Sequence, residues 1–395
     1  MRTSINHVRM ITGTGTVLEN AALAYENGTI VEIGAGSIEA EEMIDGTSKT
    51  MIPGLFDCHV HLGMEIPGAL VPQEEHDRTL LGARIMKQCL EFPKYGITTV
   101  RNMATNRDSD IVIKNFLEEQ NFPSIRILAS GDGISITGGH GNPENGYDSA
   151  SEVLYVTREK IKKNADVIKF VMTGGMGTRN SRPGSLQYHA EDIAEAVREA
   201  EICGKITGAH CTSLEGAQEA IRAGARSIEH AQLDEETADL MAERIETGRE
   251  IYYCPTITAR YSILNNQDPA FAWLTKKAEP GDLERKKKAI RLCMERGIPV
   301  VAGTDTNSPF VPVGGLLKEL ELYVESGMTE LQAIGTATQN AARLCMLEQV
   351  SGTLEKGKSA DYVLLSANPL EDIRNLSQVE CTCRGGYLLY QRKKQ

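Results

Sequence analysis

The chain has 395 residues, 41% of them hydrophobic and 24% charged, with a formal net charge of −12. That is enough apolar material for a sizeable core, and the length suits a barrel of about 250 residues plus a smaller attachment. The acidic balance argues against a nucleic-acid or membrane-surface binder, since both want a basic face.

The nine cysteines are scattered and odd in number. Cys58, Cys89, Cys203, Cys293 and Cys345 sit in apolar contexts, where a free thiol behaves as a small hydrophobe. That usage suits a reducing cytosol rather than a disulfide framework. Met1 to Asn6 lack the apolar core of a signal peptide, and no apolar run approaches the roughly 18 residues of a membrane span. A cytoplasmic protein with no membrane partner is expected.

In chain order, residues 1–50 predict short strands, with a hairpin at Ala22–Tyr25, Asn27-Gly28 and Thr29–Ile33. Residues 351–395 resemble them: Asp361–Leu365 is one strand, and Gly385-Gly386 turns into Tyr387–Tyr390. Cys381 and Cys383 fall in a predicted edge strand and are read as structural. Neither end has enough apolar residues for its own core. Segments 1–52 and 350–395 are therefore expected to pair into one small β-sandwich domain around a central unit, residues 53–349.

The middle alternates short apolar runs with helical stretches, the pattern of a parallel sheet with crossover helices. Eight strands are predicted, near Met51–Cys58, Gly96–Asn102, Ile125–Ser130, Ala165–Met172, Lys205–His210, Arg226–His230, Ile251–Cys254 and Ile298–Gly303. The clearest helices are Ala190–Cys203 and Leu214–Ala223, with glycine stops at 204 and 224. The fold class is thus α/β, a (β/α)8 TIM barrel, rather than a dinucleotide-binding open sheet. The run Glu284-Arg285-Lys286-Lys287-Lys288 reads as a solvated helix face.

Chemistry in such a barrel sits at the C-terminal mouths of the strands. The polar residues there are His59 and His61 after the first strand, Lys169 in the fourth, His210 after the fifth, His230 after the sixth and Asp305 after the eighth. Strand side chains alternate faces, so His59 and His61 point the same way, as half a metal site would require. Only eight histidines exist in the chain, and four fall at strand ends; any one alone reads best as a satisfied core histidine. His7, His76 and His189 lie outside the ring and read as structural. Lys169 lies in an otherwise apolar strand, where an unpaired ammonium is costly. It must be paired with Asp166, snorkel to the mouth, or lose its charge, as a carbamate formed with CO2 would achieve.

These features together resemble the amidohydrolase superfamily, in its binuclear branch with a carboxylated lysine. The matching motifs are Pro-Gly-Leu-Phe-Asp-Cys-His-Val-His at 53–61, Tyr-Gly-Ile-Thr-Thr-Val-Arg at 95–101 and Gly-Gly-His-Gly at 138–141. They continue with Asp-Val-Ile-Lys at 166–169, Gly-Ala-His at 208–210, Ser-Ile-Glu-His at 227–230, Ala-Gly-Thr-Asp at 302–305 and Thr-x-Asn-Ala-Ala at 338–342. Within it, the chain is similar to the imidazolonepropionase-like and Xaa-Pro dipeptidase (prolidase) group. The resemblance implies one divalent ion on His59, His61 and Asp305, a second on His210 and His230, and carboxylated Lys169 bridging both. Zinc suits that donor set. It also implies a hydroxide held between the ions, with Asp305 as proton carrier and His140 on the substrate carbonyl; a loop histidine without function is the other reading of His140.

The implied substrate is a small molecule, a dipeptide such as Xaa-Pro or an N-acyl amino acid, and the implied assembly a homo-oligomer. Thr173–Thr178 reads as a mobile loop over the site. Arg179 or Arg182 is a candidate for a substrate carboxylate, and Tyr252 or Tyr253 a candidate substrate contact. Competing readings are a cyclic amide, carbamate or phosphotriester hydrolase, a mononuclear deaminase, which Lys169 argues against, and an inactive scaffold.

Overall fold

A computed structural model describes residues 1–64, 77–141, 146–178, 181–279, 281–308 and 310–393. Both ends of the chain supply one sheet. Its first strands are β1 (Arg2–Ile11), β2 (Val17–Glu26), β3 (Thr29–Ala35), β4 (Glu42–Asp45) and β5 (Thr50–Pro53). After the central unit come β13 (Tyr362–Leu365), β14 (Val379–Arg384) and β15 (Tyr387–Gln391), joined through the β5–β13 pair in the order β15-β14-β13-β5-β1-β2-β3. The predicted hairpin forms, with Glu26 opposite Thr29. The strand of Cys381 and Cys383 is not an edge: β14 lies between β13 and β15, which buries both thiols. Ile5, Val8, Met10, Leu23, Tyr362 and Leu364 form the apolar cluster of this sheet.

The barrel strands follow as β6 (Leu55–Val60), β7 (Ile97–Asn102), β8 (Arg126–Leu128), β9 (Val167–Val171), β10 (Ile206–His210), β11 (Ser227–Glu229) and β12 (Tyr252–Cys254). They pair in parallel as β6-β7-β8 and β9-β10-β11-β12. Two seams close the cylinder. Between β8 and β9, Val167 N–H donates to Ala129 O at 3.1 Å and Ile134 N–H to Lys169 O at 2.8 Å. Between β12 and β6 runs segment 299–306, where Val301 N–H donates to Tyr253 O at 2.9 Å and Cys58 N–H to Ala302 O at 2.9 Å. This eighth stave is held by isolated bridges at Val300 and Thr306, so it is less regular than the strand expected there.

The first predicted strand, Met51–Cys58, is two strands. The break is at Gly54, where a Cβ would lie 2.3 Å from Thr98 Oγ1. Only a residue without a side chain lets the chain pass this close to β7 as it leaves the terminal sheet for the barrel. Amphipathic helices alternate with the strands, among them Ala190–Ile202 and Leu214–Ala223 where the spacing predicts them. Helix Gln339–Leu344 closes the N-terminal end of the cylinder, packing Ala341, Ala342 and Leu344 against Phe56, Val167, Ile206 and Tyr252. Among the described residues no helix is long and apolar enough to cross a membrane. The nine cysteines are free, and Cys203 differs from the expectation in being exposed.

Candidate metal centre

Each strand pattern delivers one polar side chain to the same mouth. His59 is the penultimate residue of β6 and His61 follows it by two, so both rings emerge on one side, their centroids 5.4 Å apart. Their Nε2 atoms approach the same oxygen, Asp305 Oδ1, at 3.5 Å and 3.0 Å. His230 lies 4.5 Å from His59 and 4.6 Å from His210, and His140 lies 4.5 Å from His210, centroid to centroid. Five histidines from four parts of the chain therefore form one contiguous group. The donor atoms of His59, His61 and Asp305 lie within 4.8 Å of one another, close enough to hold one ion.

Lys169 sits in β9 beside this group, with 3% of its surface exposed. It does not pair with Asp166, whose carboxylate instead takes Lys114 Nζ at 2.7 Å. Among the described residues Lys169 Nζ has no hydrogen-bond partner, and neither have the buried Nε2 atoms of His59 and His210. Native interiors rarely leave such atoms unsatisfied without a functional reason. Burial pushes the Lys169 amine down to about 8. Burial, with the nearby Lys169 charge, brings His59 down to about 4, and burial drives His210 and His230 well below the ordinary imidazole value. Unprotonated imidazoles are the form that ligates metal. Burial alone would raise the Asp305 carboxyl, but its hydrogen bond to His61 and the charges of His61, His59 and Lys169 hold it well below the usual range.

The outer nitrogens are tied down. His59 Nδ1 donates to Glu229 Oε2 at 2.8 Å, and His61 Nδ1 to Ala104 O at 3.0 Å. Thr256 Oγ1 donates to Pro255 O at 2.8 Å and so accepts from His230 Nδ1 at 2.7 Å. In each case the hydrogen is drawn to Nδ1, which leaves the Nε2 lone pair facing the group. Glu229 is in turn held by Arg101, whose guanidinium also donates to Ser227 Oγ at 2.7 Å and Cys58 O at 2.6 Å. Sequence reasoning passed over Arg101 and Glu229. The available signal was a charged residue inside a predicted strand, but without the apolar flanks that single out Lys169.

His140 is half-buried beside His210. Its Nδ1 is 2.9 Å from Thr178 Oγ1, and its backbone N–H donates to Gln187 Oε1 at 2.8 Å. Gly175 makes room for it, since a Cβ there would lie 2.4 Å from His140 Nε2. The segment beginning at Thr173, expected to be mobile, is well tethered. Thr212 Oγ1 donates to Gly174 O at 2.5 Å, and Lys277 Nζ to Met176 O, Thr178 O and Ser181 O at 3.3, 2.8 and 3.1 Å.

Four sequence-based candidates end up elsewhere or undescribed. Tyr252 begins β12 at the opposite end of the barrel, its hydroxyl 3.1 Å from Glu250 and its ring under Arg226, so it is no substrate contact. Its neighbour Tyr253 is fully buried and donates to Ala231 O at 2.5 Å. Arg179 and His76 lie outside the described residues, and Arg182 is exposed. His7 is exposed, with Nδ1 3.0 Å from Asn20 Oδ1, and His189 is exposed at the start of helix Ala190–Ile202, with Nδ1 3.7 Å from Glu219.

The profile of the amidohydrolase family matches residues 50–388. The chain belongs to this family. It is a hydrolase acting on carbon–nitrogen bonds. It is 29% identical to ochratoxinase of Aspergillus niger, over 92% of this chain and 81% of that protein. Among solved structures, a Xaa-Pro dipeptidase with methionine bound in its active site superposes with a TM-score of 0.88 at 30% identity, covering 99% and 100% of the two chains. A putative prolidase from Bifidobacterium longum superposes with a TM-score of 0.84 at 27% identity, covering 99% and 95%.

Proposed function

We propose that this amidohydrolase holds two divalent ions and cleaves the amide of a dipeptide, Xaa-Pro or a related pair, or of an N-acyl amino acid. The observation that carries this reading is the set of buried, unpartnered nitrogens on Lys169, His59 and His210 beside Asp305. His59, His61 and Asp305 would hold one ion, and His210 and His230 the other. Zinc fits the imidazole and carboxylate donors.

An ammonium cannot ligate, so Lys169 must first change. Its neutral amine would add to the carbon of CO2 and lose a proton, giving a carbamate that could serve as a further carboxylate-like ligand. Burial supports this step by keeping much of the amine neutral near pH 8. When bound, the ions supply Lewis acidity for the substrate carbonyl and acidify the attacking water. Asp305 accepts the proton of that water and delivers it to the leaving nitrogen. His140, fixed through Thr178 and Gln187, donates to the carbonyl oxygen as negative charge develops there.

The amino-acid part of the substrate is supported by two relatives, the Xaa-Pro dipeptidase with methionine in its site and the Bifidobacterium prolidase. The free, mostly buried thiols fit a cytoplasmic location. The test is metal analysis of the purified protein followed by assay against a library of dipeptides and N-acyl amino acids. Two equivalents per chain and turnover of some members are expected. One equivalent per chain rejects the binuclear site, and turnover of none rejects the substrate class.

A further inference from the structure

We infer that Lys286 is a positioning residue for His230, and through it for one of the two ions; the inference rests on the binuclear reading above. Lys286 belongs to the basic run that reads as a solvated face, on helix Asp282–Glu295 outside the barrel. Its neighbours behave that way: Lys287 pairs with Glu325 at 2.8 Å, and Lys288 is exposed. Lys286 does not. It is 3% exposed, and its Nζ donates to two backbone carbonyls, His230 O and Pro255 O, each at 2.5 Å.

Those carbonyls sit where the chain leaves β11 and β12. Both exits carry strain, with His230 at φ 69° and Thr256 at φ 46°. A residue with a side chain is disfavoured in that left-handed region and stays there only when its surroundings hold it. Here the hold is a closed circuit. The Lys286 amine grips His230 O and Pro255 O, the Thr256 hydroxyl donates to Pro255 O, and the His230 ring donates to Thr256. The positive φ turns the chain at the strand end and brings the imidazole 4.5 Å from His59 and 4.6 Å from His210. A methionine would fill the same volume. What it could not do is fix two strained turns at once, and that accounts for a lysine being buried here at all.

The experiment is a competition titration of the apoprotein with Zn2+ against a chelator, for the wild type, Lys286→Met and the exposed control Lys288→Met. One of two equivalents should bind about 10–100-fold more weakly in Lys286→Met, the range seen when groups that orient a ligand are lost, with the other equivalent and the control unchanged. Both equivalents retained, or both lost equally, overturns the inference. Should Lys286→Met prove insoluble, Lys286→Arg, a bulkier cation in the same space, is read by the same criterion. A crystal structure of the apo variant decides independently of metal. His230 leaving positive φ supports the role, and an unmoved His230 overturns it. Fewer than two equivalents on the wild type overturns the binuclear reading instead, and the backbone at His230 still decides the role of Lys286.

Discussion

Glu229 Oε2 accepts from His59 Nδ1 at 2.8 Å while Glu229 Oε1 takes Arg101, and none of the three side chains is exposed. Glu229→Gln removes the charge that balances Arg101 and weakens the pull on the His59 proton. A buried cation left without its partner costs about 3–5 kcal/mol. The variant should lose stability of that order in urea, and its Zn2+ affinity should fall about 10–100-fold in a chelator competition.

Lys169→Ala tests the opposite case, a buried group with no partner to leave behind. Its Nζ makes no hydrogen bond among the described residues, so removal frees no other polar group. The variant should keep its far-UV circular dichroism and the thermal midpoint of metal-stripped wild type, while losing activity and bound metal. Full activity in Lys169→Ala would take the carbamate out of the mechanism.

Carbamate formation should follow the neutral amine. With the Lys169 amine at about 8, each unit of pH below that value reduces the reactive fraction about tenfold. At fixed dissolved CO2, metal uptake by apoprotein stripped of CO2 should slow between pH 8 and pH 6, and added bicarbonate should restore it. An uptake rate indifferent to bicarbonate counts against the modification.

The metal-free protein should be labile to acid. His59 and His140 are lowered by burial to about 4, against about 6.5 in an unfolded chain, and burial also holds His210 and His230 well below the ordinary imidazole value. Between those values the unfolded state binds more protons than the folded one, so stability is complete above pH 6.5 and is lost as pH falls toward 4. Scanning calorimetry of the apoprotein should show the midpoint falling from pH 7 to pH 5.

Tyr252→Phe should leave KM and kcat unchanged, because its hydroxyl meets Glu250 at the far end of the barrel. The loss is one partly buried hydrogen bond, about 0.5–1.5 kcal/mol of stability by chemical denaturation.

By itself the sequence determined the barrel, the membership of both termini in one sheet, the place of Lys169 within a strand, and the strand-end positions of His59, His61, His210, His230 and Asp305. These are legible because strand alternation and β/α periodicity are local, and because charged or ligating groups stand out against apolar strands. Only the tertiary structure decided which groups meet. Asp166 and Lys169 lie three apart in the chain, yet Asp166 takes Lys114 from a neighbouring helix and leaves Lys169 to the histidines. Tyr252 and His230 lie on adjacent strands but at opposite ends, which depends on where each short strand begins. Lys286 looks like its exposed neighbours because a helix position one residue along differs by about 100° in direction, and the packing partner alone fixes which face turns inward.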